Sequence, residues 1–398
     1  MDKDKNKKFF DACGWRLLLP SKHSGGISLL FLLLICLPLA NQVFKFVKPY
    51  PLDEKRKLAE KPIFDSRHPF LYTKRYEAYY NDHFSFRTRL VYLNNLLTYK
   101  IFHASASDKV IIGKQGWLFL GNINKNLDEI DYYRNLKPYS IKELRYWQIL
   151  LEERRDWLKR RGIHYLFTIA PNKSTIYSEF MPKSVIKVNS QSRQDQLIEH
   201  LKKYSTLSIL DLRPALFEAK KGKRIYNKTD THWNDLGGYI AYCEIIKNLK
   251  QYFSFIRPRP FHDFQIKQAE FRDGDLAQML SLPKIFWENQ WRIEAKTPLQ
   301  ARVAPASELK PRNKFVTITV HTCAAGPLPA ALMVHDSFAH QMKQFLSEDF
   351  SKIIYIMDWS LNFFDKIIEK EKIKIVVDEM VEYSLLNRFP VNPRKLLK

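Results

Sequence analysis

The apolar positions along this chain change period several times, and the changes divide it. From Ile27 to Ala40 nearly every residue is apolar, interrupted only by Ser28 and Pro38. This run follows a basic stretch of Lys3, Lys5, Lys7, Lys8, Arg16 and Lys22. It continues through Val43, Phe44, Phe46 and Val47, with Asn41, Gln42 and Lys45 falling where a span would meet headgroups. About twenty apolar residues cross a bilayer, and Pro38 and Ala40 make a poor cleavage site. The pattern predicts a basic cytoplasmic tail over 1–24, then a transmembrane anchor or uncleaved signal over 25–47 with its positive end inside. A proline-containing linker over 48–63 and one globular body over 64–398 complete the division.

Within that body helical and strand periods alternate. Leu90, Leu93, Leu97 and Ile101 continue a helical stripe in an aromatic stretch that starts near Phe64. Val110 to Leu120 reads as two short strands around a Lys-Gln-Gly turn. An amphipathic helix over about Ser140 to Arg161 places Leu144, Trp147, Leu150, Leu151 and Leu158 on one stripe, and Ile163 to Ala170 is a buried strand ending at Pro171-Asn172-Lys173. A helix around Gln194 to Tyr204 leads to a strand at Leu207 to Leu210, and Asn234 is placed to cap a helix carrying Leu236, Tyr239, Ile240, Cys243, Ile246 and Leu249. From Arg257 to about Asn313 six prolines break the pattern, which predicts an irregular insertion of the lid type over about 257–313. Strands are expected again at Phe315 to Val320, Ala331 to Val334, Ile353 to Met357 and Ile373 to Val377. Such alternation favours an α/β fold with a mostly parallel sheet and helices on both faces, three α/β/α layers in all.

With 45% hydrophobic and 27% charged residues the chain has the composition of an ordered protein. Its formal charge of +23 predicts an anionic partner, such as an acidic polysaccharide or phospholipid headgroups, unless it is only a solvated basic surface. No basic motif interleaved with aromatics is present, so nucleic acid is not expected as a partner. Cys13, Cys36, Cys243 and Cys323 lack metal-ligand spacing, and Cys243 and Cys323 read better as two buried thiols than as a disulfide. Asp273-Gly274-Asp275 resembles only a fragment of a calcium loop, so neither metal nor cofactor is expected.

The candidate chemistry lies in Thr229-Asp230-Thr231-His232-Trp233 and Asp336-Ser337-Phe338. A serine hydroxyl needs an imidazole to take its proton and a carboxylate to hold that imidazole in the correct tautomer. Ser337 is the candidate nucleophile, His232 its general base and acid, and Asp230 the group that orients His232. Ser337 sits between a strand and a helix carrying Phe338, Met342, Phe345 and Leu346, the arrangement of a nucleophile elbow. There its own backbone N–H can face a developing oxyanion. Lys173, just after a strand, either contacts substrate or closes a loop. Asp336 reads as a turn-stabilising residue, and His83 as a packed or surface one.

The ordered set Gly113 to Leu120 (GKQGWLFL), Pro171 to Tyr177 (PNKSTIY), Thr229 to Trp233, Gly274 to Leu276 (GDL) and Asp336 to Phe338 resembles the AlgJ/AlgX family of alginate O-acetyltransferases. The catalytic domain of that family is similar to the SGNH hydrolases. The resemblance implies an SGNH-like α/β/α domain in which Asp and His precede Ser. It also implies transfer of acetyl groups to hydroxyls of an exported, alginate-like polysaccharide through an acetyl-serine on Ser337. It further implies a bacterial inner-membrane protein, single-pass with its catalytic domain in the periplasm, supplied with acetyl by a multi-span membrane O-acyltransferase. It makes Asn172, at a strand end, the candidate for the family's asparagine and so, with Lys173, for an oxyanion or substrate contact. One departure is His335, where the family has glycine before Asp-Ser. An esterase using the same three residues, and a noncatalytic scaffold for anionic glycan, are the alternative functions.

Overall fold

A computed structural model describes residues 24–50, 57–124, 127–306, 316–358 and 364–386. The basic tail before Ser24 and the middle of the linker lie outside the described residues. The chain forms two compact units, Met1–Asn94 and Asn95–Lys398. Residues 64–94, expected within the globular body, therefore group with the anchor.

In the first unit α1, Ser24–Phe44, is the apolar run. It ends where Lys45 turns left-handed at φ 51° and the Asn41 side chain accepts the Val47 N–H at 2.7 Å. α2, Pro69–His83, starts with proline in its first turn, where the missing N–H costs nothing. α3, Arg87–Phe102, follows after Phe84-Ser85-Phe86. His83 is exposed and its ring stacks on Tyr79.

The second unit begins within α3, at Asn95, and continues with β1, Val110–Ile112, and β2, Leu118–Leu120, paired antiparallel around the Lys-Gln-Gly turn. β3, Asn122–Asn124, and β4, Leu127–Asp128, form a small second ladder before the short α4, Glu129–Tyr133. α5, Ile141–Lys159, begins with a reciprocal cap between Ser140 and Glu143, and its predicted apolar stripe is buried. β5, His164–Ala170, runs into α6, Lys173–Ile176. α7, Arg193–Tyr204, has a second such cap between Ser192 and Asp195. β6 is shorter and later than expected, Leu210–Asp211, and leads to α8, Arg213–Ala219. α9, Asp235–Leu249, has Asn234 as its N-cap, accepting from the N–H groups of Leu236 and Gly237.

The proline-rich segment is a correction to the sequence expectation. It contains β7, Phe264–Phe271, and β8, Glu288–Ala295, paired antiparallel over their full length, with α10, Asp275–Met279, between them. The prolines lie outside both strands, so they punctuate the hairpin without breaking its ladder. β9, Arg302–Ala304, β10, Thr317–Thr322, β11, Ala331–His335, α11, His340–Asp349, β12, Lys352–Met357, α12, Asp365–Lys370, and β13, Ile375–Val381, complete the body.

The central seven-stranded sheet has the order β6-β5-β13-β11-β12-β10-β9. Pairing is parallel from β6 to β12 and antiparallel for β10 and β9 at one edge. Every residue of β11 and β13 is buried, so both faces of the sheet are covered, as the three-layer expectation requires. One face joins Leu332, Val334, Ile354, Ile356 and Val376 to Leu158 and Ile368. Cys243 and Cys323 are both buried and unlinked. The parallel register aligns the carboxyl ends of β5, β13 and β11 along one edge, where α/β sheets place their binding crevices.

Candidate active site

Two turns at that carboxyl edge meet. Ser337 follows β11 in a single 3-10 turn, and the buried Asp336 holds that turn open. Its carboxylate accepts the Phe338 N–H at 3.0 Å and the Val381 N–H at 2.5 Å, tying the serine turn to the end of β13. Asp336 thus has the turn-stabilising place read for it. Its neighbour His335 is buried, with Nδ1 against the Asp336 carbonyl at 2.5 Å. Burial pushes its pKa down to about 3, so the ring is neutral and fills the space beside the turn.

The second turn carries His232. Trp233 is fully buried, and its indole N–H donates to the Phe338 carbonyl at 2.9 Å while its ring meets the edge of Phe338. This anchor lets residues far apart in sequence share one site. His232 Nε2 lies 2.8 Å from Ser337 Oγ, and His232 Nδ1 lies 2.8 Å from Asp230 Oδ1. A carboxylate accepts only, so Nδ1 carries the proton and Nε2 is free to accept one from the serine.

Burial works against the imidazolium, but the hydrogen bond and charge of Asp230 outweigh it, helped by Asp275 and Asp336, and raise the His232 pKa above 6.5. Asp230 moves the other way despite its burial, to about 2, because His232 and two backbone N–H groups favour the carboxylate. A base must be neutral to work. Activity requiring His232 should therefore rise with pH through a midpoint above 6.5, measured as log kcat/KM. A midpoint well below that value would contradict the assignment. The stability effect has the opposite sign. The raised pKa stabilises the fold fully below about 6.5, and that contribution is lost as pH climbs through the folded-state value.

Three groups hold the His232 turn, and two of them, Asp275 and Glu288, were not foreseen. Asp275 accepts from the N–H and hydroxyl of Thr231 at 2.7 and 2.9 Å, and its own N–H donates to Asp230 Oδ2 at 3.0 Å. Glu288 accepts from the N–H and hydroxyl of Thr229 at 2.8 and 2.7 Å and pairs with Arg224 at 2.7 Å. Gly274 makes the approach feasible, because a Cβ there would sit 2.4 Å from the Thr229 carbonyl oxygen. The third group is Lys173. Its ammonium donates to the carbonyls of Asn227, Lys228 and Asp230 at 3.1, 3.2 and 2.6 Å. An ammonium has three donors, so none remains for an oxyanion, and Lys173 positions the turn rather than the substrate.

Burial pushes Lys173 down to about 8 against the pull of four carboxylates, led by Asp230. Lys173→Met keeps the length of the stem but leaves those carbonyls without donors. It is expected to cost about 2–4 kcal/mol in denaturant unfolding. An unchanged midpoint would show that the clamp has no structural weight.

Asn172 is held at the end of β5. Its N–H donates to buried Glu382 at 2.8 Å, its Oδ1 accepts from Tyr383 at 3.1 Å, and its buried Nδ2 has no hydrogen-bond partner. Glu382 also accepts from Thr175 and Tyr132, which fixes this corner from beneath. A cleft of about 550 Å³ opens beside Asp235 and His340, which head α9 and α11 just after His232 and Ser337, and Arg292 and Gln344 line it too. Ligand atoms of Asp230, His232 and Asp275 lie within 4.8 Å of one another, close enough to share a cation. Each carboxylate oxygen there already receives an N–H or O–H, so the set is satisfied as a proton-handling network.

An α/β/α body with acid, imidazole and serine in series at the carboxyl edge of a mostly parallel sheet is of the SGNH hydrolase-like class. The chain belongs to the family described as SGNH hydrolase-like domain, acetyltransferase AlgX, whose model matches residues 110–357. It is 26% identical over 235 residues to the "Probable alginate O-acetylase AlgJ" of Pseudomonas aeruginosa, covering 58% of this chain and 56% of that one. The AlgJ of Pseudomonas fluorescens is 27% identical over 243 residues, 60% of this chain and 57% of that one. The chain thus spans somewhat over half the length of these curated relatives. Among solved structures, Bacillus cereus PatB1 superposes with a TM-score of 0.50 at 16% identity, over 71% of this chain and 100% of that one, a likeness of fold.

Proposed function

We propose that this protein is an O-acetyltransferase that moves acetyl groups onto hydroxyls of an exported anionic polysaccharide through an acyl-serine on Ser337. The observation that carries the reading is the unbroken series from Asp230 through His232 to Ser337, each step 2.8 Å. In the first half-reaction Ser337 Oγ attacks the acetyl carbonyl as His232 Nε2 takes its proton, and His232 returns that proton to the departing donor group. In the second, a sugar hydroxyl attacks the acyl carbon, its proton passes to His232, and the Ser337 oxygen leaves and recovers it. Asn172 Nδ2 and the Ser337 backbone N–H are the donors assigned to the oxyanion.

Kinship with alginate O-acetylases supports a glycan acceptor, and the formal charge of +23 supports an acidic one. The apolar α1 behind a lysine-rich tail supports a single-pass signal anchor, with residues 48–398 on the periplasmic side of the inner membrane. A multi-span membrane acyltransferase is the proposed source of acetyl. Incubating the purified protein with an activated acetyl ester and a uronate-rich glycan tests the reading. Ester-linked acetyl should appear on the glycan, whereas release of free acetate alone would make the protein an esterase.

A further inference from the structure

We infer that the turn joining α2 to α3 is sunk into the outer leaflet of the membrane crossed by α1, with lipid acyl chains covering the apolar side chains around it. The inference rests on α1 being a span and stands apart from the chemistry of Ser337. Its depth follows from one hydrogen bond. Ser85 Oγ donates to the Pro38 carbonyl at 2.8 Å. Pro38 precedes Phe44, the end of α1, by six residues, which at about 1.5 Å per residue is roughly 9 Å along the helix axis.

The apolar length of α1, Gly25–Phe44, is 20 residues, or about 30 Å, the thickness of the hydrocarbon core with nothing spare. Sliding α1 outward until Ser85 cleared the leaflet would draw the preceding Lys22 toward hydrocarbon, where a charge costs about 2.5–3.5 kcal/mol or more. The turn is therefore carried into the leaflet. The Ser85 hydroxyl is satisfied by the carbonyl it reaches, and beside it Asp82 accepts the Ala59 N–H at 2.7 Å and Thr88 the Tyr50 N–H at 2.8 Å.

The surrounding side chains suit that depth. Phe46 and Phe86 pack at 6.3 Å, and Phe84 and Phe86 at 6.5 Å. Tyr76, Tyr80 and Phe84 follow at four-residue intervals, an aromatic ridge leading from the headgroup level inward. Leu90, just past the turn, is 53% exposed. α2 is 15 residues long and buries none of them against protein. A helix that short is marginal in water without an apolar surface to bury, and the leaflet provides one. Lys45 and Lys48 lie just past the end of α1, and Arg89 donates to the Lys48 carbonyl at 2.9 Å, so positive charge gathers where lipid phosphates lie.

The test uses the full chain, with its native cysteines replaced, in vesicles of phosphatidylcholine and phosphatidylglycerol. An environment-sensitive fluorophore is attached at Phe86→Cys. A second, at Tyr80→Cys, reports the same face should the first disturb local packing. Leu33→Cys marks the middle of α1, and Lys202→Cys marks the soluble surface. The Phe86 and Tyr80 probes should emit to the blue of the Lys202 probe. They should also be quenched several-fold more by lipids doxyl-labelled near the top of the acyl chain, and resist aqueous iodide. Iodide-accessible Phe86 and Tyr80 probes beside a protected Leu33 probe would overturn the inference, and would leave the face to water or to a protein partner absent from the vesicles. A wet Leu33 probe would overturn the span, and the inference with it.

Discussion

Replacing Ser337 with alanine is expected to lower acyl transfer by about four to six orders of magnitude while leaving the fold and glycan affinity nearly intact. The size of the effect follows from where the hydroxyl sits. Its oxygen is the atom that His232 Nε2 faces at 2.8 Å, and no other side chain on that turn presents a nucleophile to the ring. The turn itself does not depend on the hydroxyl, because Asp336 holds it through Phe338 and Val381. Thermal or denaturant unfolding should therefore shift little. Groups that act as one unit are strongly non-additive, so the double change Ser337→Ala with His232→Ala should be scarcely slower than Ser337→Ala alone. Single-turnover transfer from an activated acetyl ester measures both variants, and a Ser337→Ala protein with near-normal turnover would remove the serine from the chemistry.

Asp230→Asn is expected to reduce turnover by about four orders of magnitude with the fold retained, the size seen when the acid of such a series becomes an amide. Asp230 Oδ1 faces His232 Nδ1 and also accepts the His232 N–H, while Oδ2 accepts the Asp275 N–H. An amide must turn its NH₂ toward one of these. Facing Asp275 it meets a donor. Facing the ring it makes Nδ1 an acceptor and moves the proton to Nε2, the nitrogen that must take the serine's proton. Loss of the carboxylate also removes what raises the His232 pKa, so the acid limb of the residual activity should move to lower pH. A merely structural defect would not move that limb, and a pH profile of the variant separates the two.

How far the sequence discloses this site depends on whether local pattern or distant contact sets each residue's place. The apolar runs of β5, β11, β12 and β13 leave strands almost no alternative, since both faces of the central sheet are covered. The two turns could be read because each lies at a strand end or helix cap with a chemical signature of its own. The supports of the Asp230 turn could not. Glu288 begins a strand of the proline-rich segment, and Asp275 lies in Asp273-Gly274-Asp275, which resembles a fragment of a calcium loop, and in the Gly-Asp-Leu family motif, neither of which gives it a partner. Their value comes from Thr229 and Thr231, more than forty residues back in the chain. Lys173 shows the converse. A lysine after a strand fits a substrate contact or a closed loop equally, and only the surrounding carbonyls decide for the clamp. The stripe Leu90, Leu93 and Leu97 marks a further limit, because a helical period reports that a face is apolar and not what covers it, and all three remain exposed.

Intact-mass spectrometry of the protein after brief exposure to an activated acetyl ester addresses the central claim most directly. One acetyl adduct is expected, mapping to the peptide that carries Ser337, missing from the Ser337→Ala protein and discharged when glycan is added. An adduct on another residue, or acetylated glycan formed by the Ser337→Ala protein at the normal rate, would contradict the account.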